Sequence, residues 1–151
     1  MNQYKNDYVP KIFKVYYFED IKSSYIIEIQ SGKHLNRIKF KNKDSIYFNP
    51  DQFEFISLIL CQSVDFDITS VTYLNEEHSR DFIKRTRKII NDLSGMPLID
   101  SLKKNDLYKS IASNYQEEYF RSINSKEIID SLNILIDYII NSNYEVTIIG
   151  V

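Results

Sequence analysis

Residues 45–62, SIYFNPDQFEFISLILCQ, contain a strand signal and a helix signal back to back. The opening SIYFN is built from β-branched and aromatic side chains, which suit a pleated, half-buried surface. Asn49-Pro50-Asp51-Gln52 then supplies an N-cap, a proline at the first helical position, an acid in the first turn and a glutamine at the capping-box position. A helix running to about Gln62 is the expected consequence. Phe53, Ile56, Ile59, Leu60 and Cys61 cover more than one side of it, so it should lie deep against a sheet.

Upstream, KIFKVYYFE, SYIIEIQ and LNRIKFK have the same strand character and are separated by the polar turns EDIKS, SGKH and NKD. Together with SIYFN they predict an antiparallel meander. In LNRIKFK, Ile38 and Phe40 alternate with Arg37, Lys39 and Lys41, and Leu35 joins the apolar side through a slip near Asn36, which predicts one wet, basic sheet face. Downstream, VDFDITSVTYL alternates through Phe66, Ile68, Thr72 and Leu74 and reads as a fifth strand.

Residues 75–95, NEEHSRDFIKRTRKIINDLSG, form a capped amphipathic helix. Asn75 is the N-cap, Glu76 and Glu77 suit the positive helix end, and Gly95 closes it. Phe82, Ile83, Thr86, Ile89, Ile90 and Leu93 share one face, with Arg80, Lys84, Arg87, Lys88 and Asn91 opposite. Glu76 with Arg80 and Asp81 with Arg85 have the favourable four-residue spacing, acid first.

MPLIDSLKK predicts a short helix and residues 106–121 another. Asn124 with Glu127 forms a capping-box pair opening a last, wide-faced helix through Leu132, Ile136 and Ile140. YEVTIIGV looks like a strand returning to the sheet. The whole predicts a single α+β domain over residues 1–151, with an antiparallel sheet (the N-terminal meander plus one or two later strands) covered on one face by three to four helices.

A chain of 151 residues can bury about two-thirds of the surface its unfolded form exposes, enough for one core. Hydrophobic residues make up 43% and charged ones 26%, a globular balance. The first residues have no apolar stretch of signal-peptide type, and the longest apolar run, FISLILC, is too short to cross a bilayer. Cys61 is the single cysteine, which excludes an intramolecular disulfide, favours a reducing cytoplasm and reads as a small buried hydrophobe. Three Gly, one Ala and no Trp beside abundant Ile, Asn, Lys and Tyr reflect AT-rich coding, as in a low-GC bacterium or phage. Net charge is −2 but unevenly spread: residues 1–49 carry nine Lys/Arg against five Asp/Glu, and residues 50–151 ten against sixteen. The first part is therefore +4 and the second −6, an asymmetry that bears on partners.

No stretch carries a specific catalytic signature. His78 has Glu77, Ser79 and Asp81 beside it, but consecutive helical residues point in different directions, so a partly buried, hydrogen-bonded histidine is expected. His34 stands alone in a turn, and no zinc motif is present. Asp65 and Asp67 would share one face of a strand and could hold a divalent metal, or simply form a polar strand edge. QSGKH lacks the upstream glycine and following hydroxyl of a phosphate loop. Arg37, Lys39 and Lys41 with the basic helix face could bind nucleic acid, yet a pI near 5.7 is far from that of a basic nucleic-acid-binding domain. NYQEEYF sets Tyr115 and Tyr119 beside Glu117 and Glu118; with Tyr108, Ile111 and Ala112 they would form one helical stripe, usable as a core edge or as a binding surface.

In size, low-GC composition and acidic helical half, the chain resembles bacterial immunity proteins, which bind and block a toxin made by the same cell. That resemblance is one of general character and transfers no site residues. It implies a cytoplasmic, non-enzymatic protein that needs no cofactor and whose partner is a cognate, basic toxin, often a nuclease. From the residues themselves the candidate partner surface is Tyr115, Glu117, Glu118 and Tyr119, with a second acidic group at Asp65, Asp67, Glu76 and Glu77. A phage or plasmid nucleic-acid-binding regulator and a metal-dependent hydrolase using Asp65, Asp67 and His78 are the rival expectations.

Overall fold

The computed structural model describes residues 13–33, 40–111 and 114–150, apart from the side chain of Tyr115. Its strands are β1 (Tyr16–Tyr17), β2 (Ile27–Ser31), β3 (Ile46–Phe48), β4 (Val71–Leu74) and β5 (Val146–Ile149). Its helices are α1 (Pro50–Leu60), α2 (Glu76–Leu93), α3 (Leu98–Lys104), α4 (Asn114–Ser122) and α5 (Ser125–Asn141), with single 3₁₀ turns at Phe18–Asp20 and Tyr108–Ser110. The strands form one antiparallel sheet in the order β1-β3-β2-β5-β4. This is the expected α+β architecture, and the last strand does return to the sheet.

The expected meander is corrected: β3 inserts between β1 and β2, so the N-terminal strands are not laid down in chain order. Most of LNRIKFK, including Arg37 and Lys39, falls outside the described residues, as do His34 and Ala112. Phe40 and Lys41 at its end form a bend, Lys41 with a left-handed φ of 61°. The outer face of the sheet is also not the wet, basic surface expected. Glu28, Gln30, Tyr47 and Thr147 all lie there, buried. The Glu28 carboxylate accepts the backbone N–H groups of Lys41 (2.6 Å) and Asn42 (2.9 Å), the Ser45 hydroxyl (2.7 Å) and the Gln30 amide (3.0 Å). Two successive N–H groups around a left-handed residue make an anion-binding concavity, and here the anion is the protein's own side chain.

The inner face is apolar. Ile29, Ile148, Val146 and Leu74 meet Phe53, Ile56 and Leu60 of α1, Phe82 of α2, and Leu135 and Ile139 of α5. Three helices thus cover the sheet, while α3 packs on α2 and α4. Local signals set the helix starts: the side chains of Asn49, Asn75 and Asn124 each accept backbone N–H groups of the first turn. Glu127 does not close the expected capping box. Its carboxylate accepts the Phe13 N–H at 3.2 Å, and the Ser131 hydroxyl donates to the Phe13 carbonyl, so α5 pins the segment leading to β1. The aromatic series Phe13–Phe55–Phe120, with ring centroids 6.2 and 6.0 Å apart, ties that segment to α1 and α4. No helix among the described residues is long and apolar enough to cross a membrane.

Candidate functional site

The exposed side of α1 presents Glu54, Ser57, Leu58 and Cys61 at helical spacings of three and four, so they line up along one edge. Opposite this edge runs the segment Asp65–Ile68, and Gln116 of α4 closes one end. The result is an open cleft of about 490 Å³. Leu58, Phe66 and Ile68 supply its apolar surface; Glu54, Asp65 and Asp67 supply its charge. None of these three carboxylates is ion-paired among the described residues.

Each wall is held from behind. The Phe66 ring packs on Phe53 at 5.7 Å, which anchors the loop to the core. Asp67 Oδ1 accepts the backbone N–H of Thr69 at 2.9 Å and its hydroxyl at 2.8 Å, fixing a tight turn. Those hydrogen bonds hold the Asp67 carboxyl below its ordinary range. Glu54 behaves in the opposite sense. Burial pushes its carboxyl up, against the opposing hydrogen bond from the Gln116 amide at 2.8 Å, and the charge of Asp51 one turn earlier adds to the rise. Burial raises Asp51 as well. The groove therefore holds one carboxylate, Glu54, whose charged form is poorly compensated, which is an electrostatic condition for attracting a cation.

The expected site residues separate. Asp65 and Asp67 enter this groove, but from a turn rather than a strand, because β4 begins only at Val71. Residues 106–121 are not one helix: Asp106 takes a φ of 62°, a 3₁₀ turn follows, and α4 starts at Asn114. The tyrosine stripe is broken accordingly. Tyr119 is 6% exposed, against Phe120 at 5.8 Å, and is withdrawn from any partner surface. Glu117 binds the Arg121 guanidinium and the Tyr108 hydroxyl, each at 2.8 Å, and the arginine first and the phenol second lower its carboxyl pKa. Its charge is already answered within the chain. Glu118 is exposed, while the Tyr115 side chain lies outside the described residues. Glu76 pairs with Arg80 at 2.9 Å and Glu77 is exposed, both at the start of α2 and neither lining the groove.

Cys61 is exposed on the groove wall rather than buried, its thiol 3.7 Å from the Phe66 carbonyl. His78 is half-buried as expected, but its Nδ1 has no hydrogen-bond partner among the described residues, where a hydrogen-bonded histidine was expected. No group of three or more His, Cys, Asp or Glu among the described residues could hold a metal ion. Glu54 and Gln116 were not evident as a pair, being 62 residues apart. The one available signal was a carboxylate inside the otherwise apolar FEFISLILC. Compared with family models, with curated proteins and with solved structures, the chain matches none significantly.

Proposed function

We propose that this chain is a binding protein of the immunity type, which takes a cationic segment of a cognate toxin into the groove between α1 and the 65–68 turn and so covers the toxin's working surface. The observation that carries this reading is the convergence of Glu54, Asp65 and Asp67, with no ion-pair partner among the described residues, around an apolar floor. A long basic side chain suits it: the methylenes of Arg or Lys lie on Leu58 and Phe66 while the head group reaches the carboxylates. Desolvating the Glu54 carboxylate is unfavourable in the free protein, and an incoming cation removes that penalty. The net −6 of residues 50–151 adds long-range attraction that speeds the encounter. Inhibition is then steric, with no chemistry required of this chain.

The test is a binding measurement against whichever protein a neighbouring gene encodes as a basic toxin, using Glu54→Lys together with Asp65→Lys. Both residues lie at the surface, Glu54 with its carboxylate partly enclosed against Gln116, so the fold should tolerate the change at the loss of that one hydrogen bond. Affinity should fall at least about a hundredfold, through both slower association and faster dissociation, and protection of cells co-expressing the toxin should be lost. Unchanged affinity and protection would overturn the assignment.

A further inference from the structure

A second cleft, of about 250 Å³, lies between α2 and the C-terminal end of α5. Arg80, Lys84 and Arg87 line it from one side of α2, spaced four and three residues apart, and Ile83, Ile140 and Tyr144 supply an apolar wall. Arg80 is already engaged: it pairs with Glu76 at 2.9 Å, and its guanidinium lies 3.8 Å from the centre of the Tyr144 ring. Lys84 and Arg87 are exposed and take part in no ion pair among the described residues. Asp81 attracts Lys84 at longer range but is itself bonded to Arg85 and Ser63. Two cations are thus left to face one small cavity.

The conformation of Tyr144 is the second observation. It sits at φ 63°, directly after Asn143 at φ 55°, in the left-handed region where a glycine would be unstrained. The turn itself could be made by glycine. A tyrosine there carries backbone strain while its ring walls the cleft, and strained residues cluster at ligand-binding sites.

We propose that this cleft binds a small phosphomonoester, its phosphate on Lys84 and Arg87 and its organic part against Tyr144, Ile83 and Ile140. A phosphate group near neutral pH carries between one and two negative charges, which matches the two uncommitted cations, whereas a single carboxylate would leave one unanswered. A nucleic-acid track is less suitable, because Glu76, Glu77 and Asp81 interrupt the basic face of α2. The site is independent of the acidic groove and stands or falls without it.

The experiment follows backbone amide shifts by NMR at constant ionic strength, titrating adenosine 5′-monophosphate, inorganic phosphate and a short single-stranded oligothymidylate. Adenosine monophosphate should give saturable shifts at Arg80–Arg87 and Tyr144 with a dissociation constant at or below roughly 1 mM, tighter than inorganic phosphate. Lys84→Ala with Arg87→Ala should weaken it at least about tenfold with the melting temperature unchanged, and Tyr144→Gly about threefold or more with the amide spectrum still that of the folded protein. No saturable shift, or equal affinity in the double variant, overturns the site. Equal affinity for inorganic phosphate overturns the phosphomonoester assignment, since the apolar wall then adds nothing. Oligothymidylate binding more than about a hundredfold tighter, and steeply weakened by salt, would make this face a nucleic-acid surface instead.

Discussion

The carboxylate of Glu28, in the middle of the sheet, accepts the backbone N–H of Lys41 at 2.6 Å. A residue expected on a solvated basic face thus contributes its main chain to a buried acidic hub. Asn42, Ser45 and Gln30 donate to the same carboxylate, so removing it strands several donors at once. Glu28→Leu should cost about 3 kcal/mol, the sum of a few unmet buried donors. Glu28→Gln, which keeps one carbonyl acceptor, should cost about half as much. Urea unfolding would measure both, and amide exchange at Lys41 and Asn42 should accelerate in the first. A fully stable Glu28→Leu protein would show that the hub holds nothing together.

Asp92 joins α2 to α3. It is 8% exposed and accepts from Lys104 at 2.7 Å and from Asn105 at 2.9 Å, and these two partners, in that order, lower its carboxyl pKa. A carboxyl whose folded pKa is depressed contributes stability that is complete above its unfolded value, about 3.9. That contribution disappears as pH falls from there through the folded value. Asp92→Asn should therefore lower stability at neutral pH and lose less on acidification than the parent does. Urea midpoints at several pH values check this; parallel pH curves for the two proteins would contradict it.

Gly150 follows β5, where its N–H donates to the Ser70 carbonyl at 2.9 Å. A Cβ placed there would overlap the Ile68 carbonyl oxygen of the groove loop and stand 2.9 Å from the Ser70 carbonyl oxygen just after it, both backbone atoms. Neither can rotate away. Gly150→Ala should destabilise by about 1 to 3 kcal/mol through forced backbone displacement. It should also move the amide signals of Ile68 and Ser70, and a variant as stable as the parent, with those signals unmoved, would place the loop elsewhere.

Sequence reading succeeded where the determining forces are local and failed where they are not. Asn49, Asn75 and Asn124 cap the three main helices because a cap is decided within four residues. The ion pairs of α2, Glu76–Arg80 and Asp81–Arg85, follow from helical spacing alone. Insertion of β3 between β1 and β2 is a long-range choice that no periodicity encodes. Glu127 had a plausible local partner and took Phe13 instead, 114 residues away. In the groove, Asp65 and Asp67 were visible as an acidic pair, but their alternation with Phe66 and Ile68 imitated a strand, while the hydrogen bonds of Asp67 to Thr69 make a turn. Glu54 was masked by the apolar helix that carries it.

Glu117 and Glu118 are neighbours in sequence but have unlike fates, and this separates a structural acid from one available to a partner. Glu117→Lys would set a cation against Arg121 at the distance where a 2.8 Å bond now stands, and would leave the Tyr108 hydroxyl without its acceptor. This variant should lose stability, but only modestly, because the pair is partly exposed and solvent screens it. Glu118→Lys touches no such contact and should stay within about 0.5 kcal/mol of the parent. Toward a basic partner the order of effects should differ. Glu118→Lys should slow association modestly at low salt and little at high salt, as expected of a steering charge near a binding surface. Asp65→Lys should raise the dissociation rate as well, since its carboxylate would be covered in the complex. If Glu118→Lys proved as damaging as Asp65→Lys, the exposed edge of α4, rather than the groove beside α1, would be the surface the partner occupies.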